Sequence, residues 1–383
     1  MELIFWLSLV VLAYTYFGYP LLLWIGGKLF SKPVNKRCIT PSVTFIVVVY
    51  NEEKYIGRKI ENILSLDYLK EKLEIIIGSD GSTDRTNQIL EEYLKKCREE
   101  GMNYKIVISQ RREGKIALLN EIVPQAKGEI IVFSDARQIF KKDALRNLVA
   151  NFADENVGCV SGELVFVDED KASVSKGIGF YWRYEKWMRK MESRISSAIG
   201  ATGAIYAIRK NLYVAPPQDT ILDDVFIPLK IAQKGFRVIF DSQAVAYDKV
   251  VSTSKKEFTR KVRTLAGNFQ LFIQCRSLFN PFKSKLSWQL FSHKFLRAVA
   301  FFFLLFLFVT NLLLRNSYPY SVILLLQIIF YLLAVGGFVA EKFSFQNRIL
   351  SFPFVFCILN FAGLRGFLKF IFGKQGVKWE KVR

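Results

Sequence analysis

The first strongly patterned segment is an apolar run from Leu3 to Ile25, long enough to span the hydrocarbon core of a bilayer. Tryptophan and tyrosine residues suited to the two membrane interfaces punctuate this run. No basic segment precedes it and no small-residue cleavage site follows it. The pattern therefore predicts a retained transmembrane anchor over residues 1–30 rather than a signal peptide.

From residue 43 to about residue 248, short β-type runs alternate with segments of helical periodicity. The β-type runs are Val43–Val49, Leu73–Gly78, Lys105–Ile108 and Ile130–Phe133, and the helical segments between and after them are Glu53–Leu66, Asp84–Cys97, Ile116–Gln125 and Lys141–Phe152. This alternation predicts an α/β domain over residues 40–250, with a mostly parallel sheet and flanking helices. Ligands in such folds bind beyond the carboxyl ends of the strands.

After residue 250 the pattern changes again. Lys255–Cys275 combines basic and apolar residues at helical spacing, which predicts amphipathic interfacial helices over residues 251–290. Phe295–Leu314 and Tyr320–Ala340 are further candidates for spanning the membrane.

Ile349–Phe372 is apolar but contains a proline, an asparagine and two basic residues. We expect an interfacial or re-entrant segment there, followed by a basic tail in the cytoplasm. Residues 291–383 thus form a C-terminal region of transmembrane and interfacial segments that ends in this tail.

Composition agrees with this division. Of the 383 residues, 51% are hydrophobic and 23% are charged, and the two classes occupy different stretches. The net charge is +20, and the lysines and arginines that crowd beside the apolar segments favour lipid headgroups over nucleic acid as partners. The basic cluster after the first run places the α/β domain in the cytoplasm. A multi-pass protein of the cell (inner or plasma) membrane is predicted.

The cysteine and histidine content narrows the chemistry. Five cysteines lie far apart, without the spacing of a disulfide or zinc framework. His293 is the only histidine, which excludes HExxH metal chemistry and a Ser-His-Asp triad within the α/β domain. Catalysis must therefore depend on carboxylates, lysine and arginine, with or without a bound metal.

Polar turns follow the first two predicted strands. Tyr50, Asn51 and Glu52 follow the first strand, where they could hold a nucleotide base and ribose or, through Asn51, cap the next helix. Asp80 lies in the turn after the second strand. It could accept a hydrogen bond from a base nitrogen or a ribose hydroxyl, or it could close a tight turn.

Two further motifs are typical of phosphate chemistry. Lys115 ends a basic, glycine-containing loop at a helix start, an arrangement that suits a diphosphate, although a solvated charge cluster is an equal alternative. Asp135 follows a very apolar strand. It could help to hold a divalent ion that keeps waters and substrate phosphates as its other ligands, or it could cap the next segment.

Charged residues also mark two later helical segments. Asp223 and Asp224 would raise each other's pKa if both were partly desolvated, which suits one of them to act as a general base. The pair could equally stabilise a helix N-terminus. Arg263, on the amphipathic segment, could bind a diphosphate or, the stronger interpretation from the residues alone, lipid headgroups.

Together and in order, these motifs resemble the family 2 inverting glycosyltransferases of the GT-A fold. They are most similar to the membrane-integrated branch of cellulose, chitin, hyaluronan and poly-N-acetylglucosamine synthases, over nearly the whole chain. The resemblance implies a role for each residue, as follows: base and ribose binding by Tyr50, Asn51 and Glu52, uridine binding by Asp80, diphosphate binding by Lys115 and Arg263, metal binding by Asp135, catalysis by Asp224 beside Asp223, and acceptor binding by Thr202, Gly203 and Ala204.

The function implied is inverting transfer of a sugar from a nucleotide-sugar donor, with UDP as the expected carrier and Mg²⁺ or Mn²⁺ as cofactor. The acceptor would be a saccharide or a lipid-linked molecule at the cytoplasmic membrane face, in polysaccharide or glycolipid biosynthesis. Trp379 in the tail is faintly similar to the end of the family's gating loop.

Two departures from the family pattern keep an alternative open. Arg137 replaces the second carboxylate of the metal motif, and Thr264 replaces the tryptophan that contacts the acceptor sugar in processive synthases. The alternative is an inactive relative that acts as a membrane binding or assembly subunit. A membrane-tethered nucleic-acid binder is disfavoured by the acidic strand ends.

Overall fold

The computed structural model describes residues 1–167, 175–249, 254–282, 284–343, 347–373 and 376. Most of the predicted basic tail, including Trp379, lies outside these residues.

An apolar helix opens the chain, as the hydrophobic run predicts. It consists of α1 (Glu2–Ala13) and α2 (Tyr19–Leu29), joined by a π-helical turn at Tyr14–Gly18. One side of it is buried against the protein through Phe5 and Leu12, whereas many of its other apolar side chains are exposed. This distribution is expected of a helix that faces lipid.

The α/β domain is built on one eight-stranded sheet, ordered β3-β2-β1-β4-β7-β6-β8-β5. Its strands are β1 (Val43–Val49), β2 (Leu73–Asp80), β3 (Asn103–Ser109), β4 (Ile130–Ser134), β5 (Ile139–Phe140), β6 (Val157–Val167), β7 (Tyr206–Arg209) and β8 (Arg237–Lys249). Strands β1 to β4 pair in parallel, as predicted. Strand β7 is antiparallel to both of its neighbours, and β6 and β8 pair in parallel. The sheet is therefore mixed, and its parallel half places four strand ends along one edge.

Helices cover both faces of the sheet. They are α3 (Ile56–Leu64), α4 (Thr86–Glu99), α5 (Lys115–Gln125), α6 (Ala144–Ala150), α7 (Ser175–Ile195) and α8 (Asp223–Gln233). Short 3₁₀ helices lie at Lys70–Lys72, Asn151–Ala153, Lys210–Leu212 and Arg276–Phe279. Alternate residues of β1 enter different cores, since Phe45 and Val47 pack on one face and Ile46 and Val48 on the other. Burial on both faces explains why β1 is apolar at every position except Thr44.

The C-terminal part of the chain is helical. It contains α9 (Ser254–Gln274), α10 (Ser287–Gln289), α11 (Leu296–Leu313), α12 (Tyr320–Lys342) and α13 (Arg348–Ile371), with a π-helical stretch at Leu290–Phe295 between α10 and α11. Within the described residues, four helices are long and apolar enough to cross a membrane, namely Glu2–Leu29, Ser287–Leu313, Tyr320–Lys342 and Ile349–Ile371.

Helix α13 is unbroken, although its polar interruptions led us to expect an interfacial or re-entrant segment. Pro353 is the sixth residue of this helix, and its missing amide hydrogen removes one helical hydrogen bond without ending the helix. The second half packs closely on amphipathic α9, because Gly366 leaves room for the backbone of Ala266. The position of α13 relative to the bilayer stays a prediction.

Candidate active site

A cleft of about 2840 Å³ lies beyond the carboxyl ends of the parallel strands and continues between the apolar helices. Most of the side chains singled out from the sequence line it, namely Tyr50, Asn51, Glu52, Lys115, Asp135, Thr202, Gly203, Ala204, Asp223, Asp224 and Arg263. The fold thus brings together residues that are up to about two hundred positions apart in the chain.

The turns after β1 and β2 are tied to each other. Asn51 has a left-handed backbone conformation with φ of 53°, and its side-chain oxygen accepts a hydrogen bond of 2.7 Å from the Thr83 amide. The Glu52 amide donates to the hydroxyl of Thr86 over 2.8 Å. The Tyr50 ring lies 4.0 Å from the Arg112 guanidinium carbon. These contacts form a preorganised wall, which we call the nucleotide-side wall.

Asp80 belongs to the same wall but does not line the cleft. Its side chain is buried, and one oxygen accepts hydrogen bonds from the amides of Glu113 (2.7 Å) and Gly114 (2.9 Å). Gly114 has φ of 104°, which favours glycine. Asp80 therefore holds the loop before α5 in place, and its carboxylate is engaged by the amides of this loop.

Lys115 is the first residue of α5 and links two carboxylates of the cleft. Its Nζ lies 3.0 Å from Asp223 Oδ2 and 3.6 Å from Asp135 Oδ1. Burial alone would lower the pKa of Lys115, but the neighbouring carboxylates, Asp223 foremost, raise that pKa above its ordinary value. Burial, in turn, raises the pKa of Asp135, against the opposing effect of Lys115. A permanently charged lysine thus stands between the two acids.

Asp224 has a different environment from its neighbour. Asp224 lies at the start of α8, and its Oδ2 accepts a hydrogen bond of 3.0 Å from the Gly203 amide. Burial, followed by the Asp223 carboxylate, raises the pKa of Asp224 to about 6, although Lys115 opposes the shift. Such a carboxylate is ionised at neutral pH yet basic enough to accept a proton, as a general base requires.

The segment 202–204 forms the wall beside Asp224. The Thr202 amide donates to Ser161 Oγ over 3.1 Å, and the Ala204 carbonyl accepts from Ser134 Oγ over 2.9 Å. A side chain at Gly203 would place its Cβ 3.3 Å from Asp224 Oδ2, so a glycine suits this close approach. The predicted acceptor segment therefore lies against the predicted base.

Arg137, Arg263 and Thr264 also line the cleft. Arg263 is close enough to interact electrostatically with Asp223 and Asp224, and its Nε is buried without a hydrogen-bond partner in the described part of the chain. Arg137 and Thr264, the two residues that depart from the family pattern, thus lie within the site. The positive charge of the arginines offsets the negative charge of its aspartates.

Lys59 was not identified from the sequence. It lies on α3 directly behind the Asp135 loop, fully buried, and donates to Ser134 Oγ (2.7 Å) and to the Gln138 carbonyl (2.8 Å). Burial lowers the pKa of Lys59 to about 7. Lys59 lies at helical spacing from Ile56, Ile60 and Ile63, on the apolar face of α3. This spacing could have predicted from the sequence that the lysine is buried.

The donor set at Asp135 fits a divalent ion of the Mg²⁺ type. No group of three histidine, cysteine, aspartate or glutamate side chains suited to a metal occurs among the residues that the structure describes. Magnesium, however, is commonly bound by one or two carboxylates together with substrate phosphates. The Asp135 side chain is 26% exposed toward the cleft and can supply such a ligand.

Sequence profiles of known families match the chain over this fold. The profile described as "Glycosyl transferase family 2" matches residues 44–213, and that described as "Glycosyl transferase family group 2" matches residues 130–335, just over half of the chain.

Two curated relatives are similar to the chain. The poly-beta-1,6-N-acetyl-D-glucosamine synthase of Staphylococcus aureus (strain COL) is 26% identical over 250 residues, which is 63% of this chain and 58% of the relative. The probable glycosyltransferase YdaM of Bacillus subtilis (strain 168) is 25% identical over 289 residues, which is 72% of this chain and 65% of the relative. The match thus spans somewhat more than half the length of either relative.

A solved structure is also similar. The mannosyltransferase PcManGT from Pyrobaculum calidifontis, solved in complex with GDP-Man and Mn²⁺, superposes with a TM-score of 0.72 at 24% identity, over 97% of this chain and 99% of that one. This likeness shows the fold. The fold, the family profiles and the relatives agree, and the chain belongs to glycosyl transferase family 2, as a glycosyltransferase of the GT-A fold with membrane helices.

Proposed function

We propose that the chain transfers a sugar, with inversion, from a nucleotide-sugar donor to a hydroxyl of a saccharide or lipid-linked acceptor at the cytoplasmic membrane face. The observation that carries this proposal is the placement of Asp224, with its raised pKa, in the same cleft as Lys115, Asp135 and Arg263. The resemblance to a poly-N-acetylglucosamine synthase supports a role in polysaccharide or glycolipid biosynthesis.

The chemical step follows from the position of Asp224. The acceptor hydroxyl attacks the anomeric carbon as its proton passes to Asp224 Oδ, and a new bond forms between the acceptor oxygen and the sugar. The bond between the anomeric carbon and the phosphate oxygen breaks, and the nucleoside diphosphate leaves with the electron pair. A single displacement of this kind turns an α-linked donor into a β-linked product.

The cations of the cleft stabilise the leaving group. Lys115 stands at a helix start, where backbone amides also favour anions, and Arg263 lies across the cleft on α9. Both can neutralise charge that develops on the departing diphosphate. Asp135 would hold Mg²⁺ or Mn²⁺, which when bound supplies further positive charge to the diphosphate. The family resemblance makes a UDP-sugar the expected donor. A GDP-sugar is the second donor to test, since PcManGT was solved with GDP-Man.

The decisive experiment uses the full chain purified in phosphatidylcholine nanodiscs. It is incubated with radiolabelled UDP- and GDP-sugars, with Mg²⁺, with Mn²⁺ and with a chelator, and both donor hydrolysis and transfer to added membrane lipids or saccharides are measured. We expect turnover of at least one donor and a product of inverted anomeric configuration. Retention of configuration would contradict the single displacement.

The same assay addresses the inactive-relative alternative. Arg137 and Thr264 motivated that alternative, yet both side chains lie in a cleft that retains an acid suited to base catalysis. Binding of a nucleoside diphosphate without turnover of any donor would support the alternative and overturn the proposal.

A further inference from the structure

The cleft does not end at the catalytic carboxylates. It continues between the apolar helices, where its walls include Phe17, Leu21, Phe352, Val355 and Leu359. Of these side chains, Phe17 is 75% exposed, Leu21 is 55% exposed and Phe352 is 54% exposed on the protein surface. The cleft therefore joins a polar reaction chamber to a surface that suits a hydrocarbon chain.

Three further cations line the cleft that contains both the carboxylates and the apolar wall. They are Arg189 on α7, Lys261 on α9 and Lys294 just before α11, and all three line the cleft. None of them forms an ion pair with a carboxylate within the part of the chain that the structure describes. The Nε of Arg189 is buried there without a hydrogen-bond partner.

The nearby carboxylates are already engaged. Glu185 contacts Arg297 (2.8 Å) and His293 (2.9 Å). Glu192 contacts the other nitrogen of His293 (2.7 Å) and the hydroxyl of Tyr19 (2.6 Å). Both acids also act electrostatically on Lys294, but among the described residues neither forms an ion pair with any of the three cations.

The effect of partial burial on these cations is visible in the pKa of Lys261. Burial lowers its pKa to about 8. The Glu257 carboxylate opposes this shift, whereas Arg260 acts in the same direction as burial. All three cations are partly buried, and Lys261 also lies over the rings of Tyr181 (4.3 Å) and Trp182 (5.0 Å).

Because a partly buried charge without an ion pair is unfavourable, an excess of such cations indicates a binding site for an anion. Arg189 and Lys294 are both close enough to Asp224 to interact with it electrostatically, so an anion between them would lie beside the base.

We propose that the acceptor is a phosphate-bearing lipid whose phosphoryl group is bound by Arg189, Lys261 and Lys294. Its hydrocarbon chain lies along the apolar wall at Leu21 and Phe352, and its hydroxyl-bearing end reaches Asp224. This inference rests on the proposed function and specifies its acceptor: among saccharide and lipid-linked candidates, the charge and the apolar wall select an anionic amphiphile.

Binding is tested without any donor. The full chain in dodecyl maltoside micelles is titrated with dodecyl phosphate, and the rise in Tm gives an apparent Kd. Dodecanol tests the apolar wall alone, inorganic phosphate tests a free anion, and phosphatidylglycerol tests an ordinary anionic headgroup. We expect a saturable shift with dodecyl phosphate that exceeds the shifts with all three comparison compounds.

Variants assign the site. Arg189→Gln and Lys294→Gln should each weaken dodecyl phosphate binding by about tenfold, since each removes a charged hydrogen-bond donor. Lys294→Arg keeps the charge and should retain binding. Arg276→Gln removes an exposed arginine outside the cleft and serves as the matched control.

Several results would overturn the inference: equal shifts with dodecanol or phosphatidylglycerol, unchanged affinity in the Arg189 and Lys294 variants, or full turnover with a neutral soluble saccharide as sole acceptor. The donor assay described above is separate. Donor turnover without dodecyl phosphate binding refutes only the acceptor inference, whereas binding without any donor turnover refutes only the proposed function.

Discussion

On its nucleotide side the cleft is built from polar groups that hydrogen-bond to one another, whereas the charged side chains of Asp224 and Arg263 have fewer hydrogen-bond partners. Asn51, Thr83 and Thr86 exchange short hydrogen bonds, and Asp80 accepts from two backbone amides. Across the cleft, Asp224 accepts from one amide, and the Arg263 Nε has no hydrogen-bond partner among the described residues. The nucleotide-side wall is therefore preorganised by internal hydrogen bonds, whereas Asp224 and Arg263 retain groups that can interact with substrate.

Two aspartates show what this difference teaches. Asp80 ends β2 and Asp224 stands in the first turn of α8, so both occupy positions where an acid commonly serves as a structural cap. Only Asp224 combines burial with a second carboxylate, which is the arrangement that raises a pKa toward neutrality. The chemistry is therefore assigned by the environment and not by the residue type.

The largest expected effect comes from Asp224→Asn. Because Asn cannot accept the acceptor proton, kcat should fall by about 10³-fold, while nucleoside diphosphate binding, measured calorimetrically, should remain within about twofold. Asp219→Asn, which changes an exposed acid before the same helix, is the control. Near-normal turnover by the Asp224 variant would show that Asp224 is not the base. The proposed functional difference between Asp224 and Asp80 would then be wrong.

Lys115→Met should have the next largest effect. The substitution removes the cation between Asp135 and Asp223, so kcat should fall by about 10²-fold, in the range seen for loss of one charge-stabilising group. Lys95→Met changes an exposed lysine on α4 and should leave kcat unchanged. A Lys115 variant that affects only the donor KM would assign the lysine to ground-state binding.

The pH dependence sharpens the comparison further. With the pKa of Asp224 at about 6, the base is ionised above that pH, and kcat/KM should be about tenfold lower at pH 5 than at pH 8. Lys115 opposes the rise of this pKa, so the low-pH inflection of residual activity in Lys115→Met should move upward. An inflection that stays in place would show that another group controls the profile.

A smaller effect is expected at Asp80. Both shorter amide hydrogen bonds end on Oδ1, an acceptor that Asn can also provide, so Asp80→Asn should change the donor KM by less than about threefold. Asp80→Ala removes both bonds, and the loop before α5 should loosen, which raises the donor KM by about tenfold. Equal effects of Asn and Ala would instead favour direct donor contact by the Asp80 carboxylate.

The sequence predicted the strands best where burial on both faces leaves no alternative. The bounds of β1 agree at both ends, because every residue from Val43 to Val49 is apolar or buried. β2 runs two residues beyond the predicted Gly78, because Ser79 and Asp80 pair with β3. No element was named between Phe152 and Asp223. The four residues of β7, for example, become a strand only by pairing with β4 and β6.

The candidate site was predictable in its residue types but not in its contacts. Polar turns after apolar strands identified Asn51 and Asp135, since parallel strand ends share one edge of a sheet. The adjacent acid pair at the start of a helical segment identified Asp224. That a loop thirty residues later would occupy the Asp80 carboxylate depends on long-range packing. The cations on α7 could not be placed for the same reason, because the sequence analysis did not delimit that helix.

Lys59→Met should have the smallest effect on activity and an informative effect on stability. Lys59 supports the Asp135 loop from behind, and Ser134 Oγ keeps its contact with the Ala204 carbonyl when the lysine is removed, so kcat should fall only by about threefold.

The folded-state pKa of Lys59 is about 7 and the ordinary value is 10.5. Between these values the unfolded chain binds more protons, so the free energy of unfolding of the wild type decreases as the pH falls from 10.5 to 7 and this contribution is constant below 7. The Met variant lacks this penalty, and its Tm relative to wild type should therefore be higher at pH 6.5 than at pH 10. A Tm difference that does not vary with pH would mean that Lys59 in the folded protein stays protonated from pH 6.5 to pH 10. Asp135 would then have a buried positive charge directly behind its loop.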